Sequence, residues 1–271
     1  MSVAEELTGD SFTADALSGH YDVLAERVFQ IERKWPHFGL LLEDIRQLAD
    51  ACAPGSRVVS FERGLLYGGC SLIAPFFQNS DFISLDCSPQ SANSRGAYNA
   101  AMTQDPRFLF VPTTHRGSIE DPGLADQSAD LILVPNLVHH VANQDRLFAE
   151  LARITAPGGQ VYVFEPLLRE LHQEPDDYLR WTPYGMARAM TQAGLEPEAP
   201  KQTGGPFEAI AYCWAQALEY FPEDQRVTMA KWFYDQHMPE LMAWDKAHTA
   251  NQQRDHTSFP VAFSLIARKP R

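Results

Sequence analysis

Between residues 57 and 164 the chain alternates strand-length apolar runs with loops and helical stretches. That succession constrains the fold more than any other feature of the sequence. The apolar segments fall at 57–61, 81–85, 107–111, 130–134 and 160–164. Ile83 and Leu85, Phe108 to Val111 and Leu131 to Val134 make near-continuous runs, which suit strands buried on both faces of a parallel sheet. Residues 143–156 make the clearest helix, with Leu147, Phe148, Leu151 and Ile154 on one face and Asn143 placed to cap it. Pro157-Gly158-Gly159 then ends the helix and turns into the next strand. This β-α-β-α-β order predicts a doubly wound, Rossmann-like α/β sheet.

Helical periodicity precedes the sheet. His20 to Ile31 and Gly39 to Ala51 space their apolar residues at helical intervals on either side of Pro36, giving an N-terminal helical cap over residues 1–56. The α/β body then spans 57–271. The helix after the first strand must be short, with Pro75 near its first turns. Past Glu165 the pattern changes to a helix at 181–193, a strand within 195–203, a helical insertion at 207–250 and a closing strand at 259–267.

Charge narrows the partners. Lys+Arg 22 against Asp+Glu 35 gives a net charge of −13, which repels phosphate backbones and anionic lipid and so argues against nucleic acid or a membrane as partner. No run reaches the roughly 18 apolar residues of a membrane helix. Glu5, Glu6, Asp10 and Asp15 stand in the first twenty residues without a Lys or Arg, unlike a signal or transit peptide, so a cytoplasmic protein is expected. Cys52, Cys70, Cys87 and Cys213 include no C-x-x-C pair, and neither a zinc site nor a disulfide framework is indicated.

In such a sheet the ligand lies beyond the carboxyl ends of the strands. The first end carries Gly64, Gly68 and Gly69, a loop that either admits a ligand to the backbone or simply turns. Its G-x-x-x-G-G spacing is not the G-x-G-x-x-G of a nicotinamide dehydrogenase. Asp86 lies 22 residues beyond Gly64, where a carboxylate accepts from both hydroxyls of a ribose, or else caps the following turn beside Ser88. Asn136 follows the buried run 131–134 at the same edge. His139 and His140 are candidate general bases or acceptor-orienting groups, and either one alone is as readily a hydrogen-bonded structural histidine. As neighbours on a helix they point to different faces and are not expected to share a metal.

The run from Gly117 through Ser118, Ile119, Glu120 and Asp121 to Asp130 resembles class I S-adenosylmethionine-dependent methyltransferases. The likeness continues through Asn136, His139-His140, Leu151-Ala152-Arg153-Ile154 and Pro157-Gly158-Gly159. The likeness is to the small-molecule branch typified by the ubiquinone and menaquinone enzymes. Trp181-Thr182-Pro183 and Gln192-Ala193-Gly194-Leu195 resemble the later helix of that family and its ending. The resemblance covers about 57–200 and the last strand. It implies a seven-stranded sheet whose last strand is antiparallel, and S-adenosyl-L-methionine as cofactor with S-adenosyl-L-homocysteine as product. Glu62, Gly64, Asp86, Cys87, Ser118, Ile119 and Asn136 would bind the cofactor, with Asp86 on the ribose and Ile119 against the adenine.

Departures from the family accompany the likeness. Ser60 stands in the acidic place of the first motif and Glu62 in that of its first glycine. Glu62 shares a strand face with residue 60, so it either restores the carboxylate near the cofactor's amino group or fills the space of the methionine moiety. Ser118 replaces the Asp that accepts from the adenine amino group, with an uncharged oxygen in its place.

Nine aromatic residues fall within 207–244, enough for a lid over an apolar acceptor, for helix packing or for a homodimer interface. The expected function is methyl transfer to an oxygen, nitrogen or carbon of a small molecule. The alternatives are a non-catalytic relative that acts as a binding partner, or another reaction of the bound sulfonium.

Overall fold

The computed structural model describes residues 12–32, 38–63, 66–67, 69–88, 105–251 and 259–271. Pro36, Gly64 and Gly68 lie outside the described residues. Helices Ala14–Glu32 (α1) and Phe38–Ala51 (α2) lead into strand Arg57–Glu62 (β1). Leu66–Tyr67 (β2), Cys70–Ser71 (β3), Asp81–Asp86 (β4), Val111–Pro112 (β5), His115–Arg116 (β6) and Ala129–Pro135 (β7) follow. Gln144–Ile154 (α3) joins β7 to the long strand Thr155–Pro166 (β8), and Pro183–Gln192 (α4) comes next. Short strands Glu196–Pro197 (β9) and Lys201–Thr203 (β10) precede helices Pro206–Ala217 (α5), Glu223–Gln236 (α6) and Met238–Asn251 (α7). Ala262–Arg268 (β11) closes the chain.

The main sheet runs β10-β11-β8-β7-β1-β4-β6, and β9 also pairs with β11. β1 is parallel to β4 and β7, β4 to β6, and β7 to β8. β11 is antiparallel to β8, β9 and β10. The sheet is therefore doubly wound, seven positions wide, and its last strand runs against the others, as the sequence leads one to expect. The chain moves outward from β1 first to β4 and β6, then to β7 and β8. The strand order reverses between β1 and β7, the place where such sheets open a ligand crevice.

Successive residues of the central strands point to opposite faces, and both faces are covered. On one face Val59, Phe61, Ile132, Val134, Val161 and Val163 pack against Leu147, Leu151 and Ile154 of α3 and Met186 and Met190 of α4. On the other, Val58, Leu131, Leu133, Tyr162 and Phe164 pack against Phe38, Leu41 and Ile45 of α2. This double burial explains the unbroken apolar runs. The α3 N-terminus is capped by Asn143, whose side chain accepts from Arg146 N at 3.0 Å.

Two expectations are corrected. The run 107–111 does not join the main sheet; only Val111, at its end, pairs, in the small sheet β2-β3-β5. Phe108 is buried beside Val23 and Leu24 of α1, its ring 5.9 Å from that of Phe110, and the second strand outward from β1, beyond β4, is β6. The single strand expected at 195–203 is two short ones separated by a break. The short helix expected after β1 is the 3₁₀ helix Ala74–Phe77, with Pro75 in its first turn, reached through β2 and β3.

Pro157-Gly158-Gly159 lies inside β8 and makes close backbone contact there. A Cβ on Gly159 would sit 2.9 Å from Ala156 O and 3.0 Å from Ala129 O, so only glycine lets the strand start beside β7. Because β10 runs with the parallel strands, it ends at their carboxyl edge, and Thr203 pairs with Ala262 at the start of β11. Helices α5–α7 therefore leave and return at the ligand edge. Asp245 of α7 caps α5, accepting from Phe207 N at 3.1 Å, and a Cβ at Gly205 would collide with that carboxylate at 2.3 Å. No helix among the described residues is long and apolar enough to cross a membrane.

Candidate functional site

The carboxyl ends of β1, β4, β7 and β8 place four polar side chains, all buried, along one edge: Glu62, Asp86, Asn136 and Glu165. Glu62 and Asp86 are register partners across β1 and β4. Glu62 is fully buried. Its Oε1 accepts from Ser71 Oγ at 2.7 Å, and its Oε2 has no hydrogen-bond partner. Burial, reinforced by the neighbouring Asp86, pushes this carboxyl up to about 8, against the opposing help of Ser71 and Ser60. Ser60 is close enough to favour the charge without forming a well-aligned hydrogen bond.

Asp86 Oδ1 accepts from Ser88 N at 2.8 Å, which is the capping role allowed by the sequence, and only one oxygen is used for it. Asn136 takes a left-handed backbone with φ 58°, a conformation that Asn tolerates better than most residues. Its amide N donates to Phe164 O at 2.8 Å, while its side-chain Oδ1 is buried without a partner.

Glu165 organises the adjacent turn. Its Oε1 accepts from Leu137 N at 2.9 Å and Val138 N at 2.7 Å, and its Oε2 accepts from His139 N at 3.2 Å. The same Oε2 takes the ring proton of His139 Nδ1 at 2.6 Å. Four donors on one buried carboxylate hold the 3₁₀ turn Val138–His140 and fix the His139 ring. The turn ends at His140, so the rings are not separated on a continuing helix. They meet instead, with centroids 4.0 Å apart, and His172 joins them with centroids at 5.2 and 4.8 Å. The expectation that adjacent histidines diverge is thus corrected, because tertiary partners set their side-chain directions.

Beside these residues lies an open cleft of about 490 Å³, within the range of small-molecule sites. Cys87, Ser118, Ile119, Leu137, His140 and Arg63 are among the residues that line it. Ile119 is buried as an apolar floor, whereas Ser118 is exposed and its Oγ accepts from Glu120 N at 3.1 Å. Burial pushes the Cys87 thiol up to about 12, so it is an uncharged wall. Burial, with unfavourable help from His139, holds His140 down at about 2, and the ring is neutral at physiological pH. His172 is held down at about 3 by burial and by Arg169.

Of the residues singled out by sequence, the structure brings Cys87, Ser118, Ile119 and His140 onto the cleft wall. Glu62, Asp86 and Asn136 stand at the strand ends beside it. Gly64 lies outside the described residues. His139 is fully buried and is not part of the wall. Three residues were missed. Glu165 had the same signal as Asp86, an acidic residue closing a buried run. Arg63 follows Glu62 directly, and its Nε donates to Gln173 Oε1 at 2.7 Å. His172 carried no signal, lying 33 residues from its ring partner.

Residues 67–163 match the family model described as a methyltransferase domain. No curated protein matches the chain in sequence. Among solved structures the chain is similar to the YcgJ protein of Bacillus subtilis, with 13% identity, TM-score 0.46, and coverage of 84% of this chain and 99% of that one. It is also similar to the [4+2]-cyclase SpnF, with 14% identity, TM-score 0.47 and coverage of 97% and 98%. A third likeness is to phosphoethanolamine N-methyltransferase 2 of Haemonchus contortus in complex with S-adenosyl-L-methionine. It has 13% identity, TM-score 0.45 and coverage of 100% of this chain and 60% of the other.

Proposed function

We propose that the chain is an S-adenosyl-L-methionine-dependent methyltransferase acting on a small molecule, of the kind its sequence resembles. The observation that carries this reading is the set of unanswered acceptors at the β1/β7 crevice. Glu62 Oε2 and Asn136 Oδ1 are buried without partners, beside Asp86, within or next to the segment that matches a methyltransferase domain. Buried polar atoms left open at the carboxyl edge of such a sheet, where its ligands bind, are most simply completed by a ligand. A cationic amino group and a ribose diol are donors of the right kind. In this reading Glu62 and Asn136 take the amino end, Asp86 takes the ribose with its free oxygen, and Ile119 and Ser118 take the adenine face and edge.

When bound, the cofactor supplies an electrophilic sulfonium methyl. The protein's share is to hold the acceptor in line and exclude water, which is where much of the rate of such a displacement originates. His140 is a neutral ring on the cleft wall, and its depressed basicity makes it an orienting group in preference to a general base. Arg63, whose buried Nη2 lies 3.8 Å from Asp176 and makes no hydrogen bond, fits a carboxylate or another anionic group of the ligand.

A second reading rests on Glu62. A neutral buried carboxyl where the family has glycine also suits a protein that binds ligand without transferring a methyl group. Calorimetric titration with S-adenosyl-L-methionine and S-adenosyl-L-homocysteine tests the cofactor step. Saturable heat with both is expected. No heat with either across the micromolar to millimolar range overturns the proposal. Mass analysis of acceptor products after incubation then separates the catalytic reading, with its gain of one CH2 unit, from the binding-only reading.

A further inference from the structure

Behind the cleft wall three imidazoles meet, and each has already committed a ring hydrogen. His139 Nδ1 donates to Glu165 Oε2 at 2.6 Å, and His140 Nδ1 donates to the Asp176 carbonyl. His172 Nδ1 lies 3.1 Å from the Glu170 carbonyl and 3.2 Å from the Asp177 carboxylate, both acceptors. A neutral imidazole that donates through Nδ1 carries a bare lone pair on Nε2. His139 Nε2 and His172 Nε2 are 3.3 Å apart, and one nitrogen of each of the three rings lies within 4.8 Å of the others. Lone pairs this close repel unless a positive centre stands among them. One shared proton answers two of the three; a metal ion answers all three.

We infer that His139, His140 and His172 form a three-nitrogen site for a divalent first-row transition ion, with zinc the best fit. Two nitrogens bound tetrahedrally at about 2.0–2.1 Å from zinc are about 3.3 Å apart, the separation found for His139 and His172. The nitrogen of the third ring stands no more than 4.8 Å from the other two. Imidazole donors suit zinc, copper, iron or nickel, whereas magnesium and calcium take oxygen. The supporting groups are those of a metal site: Glu165 behind His139, the Asp177 carboxylate behind His172 and a backbone carbonyl behind His140. Nearby guanidinium groups each have a carboxylate beside them. Arg180 Nη2 donates to Asp177 at 2.9 Å, and Arg63 and Arg169 lie 3.8 Å from Asp176 and Glu170. Because His140 lines the cleft, the ion's remaining position opens there. If the chain is a methyltransferase, an oxygen or nitrogen of the acceptor would occupy that position. The site itself does not depend on that reading.

The test is a titration of the chelator-treated full chain with cobalt(II), followed by displacement with zinc, with no cofactor or acceptor present. One equivalent of cobalt is expected to bind, with the visible absorption of a low-coordinate nitrogen site, and zinc should remove it. His172→Gln and His140→Gln should each weaken binding at least about 100-fold, on the scale of damage to a ligand shell, with circular dichroism checking the fold. His115→Ala, at an exposed position of β6, should bind cobalt like the parent chain. Paramagnetically shifted histidine ring protons in the cobalt-loaded parent chain give the same assignment without a variant. No cobalt bound up to millimolar concentration, or full binding by both folded glutamine variants, overturns the site and leaves a proton shared between His139 and His172.

Discussion

Glu62 and Glu165 end two strands of one sheet, β1 and β8, and both are fully buried, yet their surroundings differ in kind. Glu165 accepts four hydrogen bonds from protein N–H groups. Glu62 accepts one, from Ser71, and leaves an oxygen unanswered. The first carboxylate is satisfied by the chain itself and acts as an anchor for the histidine turn. The second keeps its charge only at a cost, because burial pushes it up to about 8. A buried acid answered internally is architecture; one left open fits a role with a cationic partner from outside.

The largest effect should come from removing the anchor. Glu165→Gln turns an acceptor pair into one oxygen and one amide, leaving two donors of His139 facing an NH₂ group. Breaking a buried, hydrogen-bonded charge of this kind costs about 3–5 kcal/mol of stability. Urea unfolding should show that loss together with weaker cobalt binding at the histidines. An unchanged midpoint would mean that the turn holds without Glu165 and would collapse the contrast between the two acids.

Glu62→Gln should do the opposite to stability. The group titrates near 4.5 in the unfolded chain and near 8 in the folded one, so folding takes up a proton between those values. Stability from this group is therefore present below about pH 4.5, falls as pH rises through that window, and is flat above about 8. At pH 7 a neutral isostere should stabilise the ligand-free protein, by up to about 3 kcal/mol. Cofactor affinity should fall by about 2–4 kcal/mol, as for loss of one partner of a buried charge pair. In the parent chain, binding of a cationic group should release a proton from Glu62, so affinity should rise with pH up to about 8, and Glu62→Gln should abolish that slope. A pH-independent affinity in the parent chain would place the cation elsewhere.

Asp86 lies between the extremes, with Oδ1 used as a cap and the rest of the carboxylate open to a ligand. Asp86→Ala should weaken cofactor binding by about 1.5–3 kcal/mol, the scale of lost charged hydrogen bonds. Unchanged affinity in a folded variant would make Asp86 a cap only.

The sheet was legible because its strands are buried on both faces, which writes continuous apolar runs at β4, β7 and β8. The same cue misleads at 107–111, where Phe108 and Phe110 cover α1 rather than join the sheet, since burial and not pairing is what an apolar run reports. At the site, Asp86, Asn136 and Ile119 could be found because strand ends and matched motifs fix their places. Glu165 closes a buried run as Asp86 does, but its role needed the knowledge that its carboxylate reaches back to residues 137–139, a contact across neighbouring strands that no local pattern encodes. The His172 contact to His139 is of the same sort, made by a segment without regular structure.

At the exposed rim the contrast between answered and open acceptors should nearly vanish. Ser118 is solvent-exposed, and one lone pair of its Oγ is taken by Glu120 N at 3.1 Å. Whatever it offers an adenine amino group is an uncharged hydrogen bond in competition with water, so Ser118→Ala should lower cofactor affinity by only about 0.5–1 kcal/mol. Ser118→Asp should raise it by about the same amount, because an ionised acceptor makes the stronger bond. Glu120 and Asp121 are adjacent in the chain, so some of that gain will be offset by like-charge repulsion, more at low salt than at high. Calorimetry at two ionic strengths measures both effects. A loss from Ser118→Ala as large as that from Asp86→Ala would mean that the rim closes over the ligand and dries out, making Ser118 a buried contact in the complex.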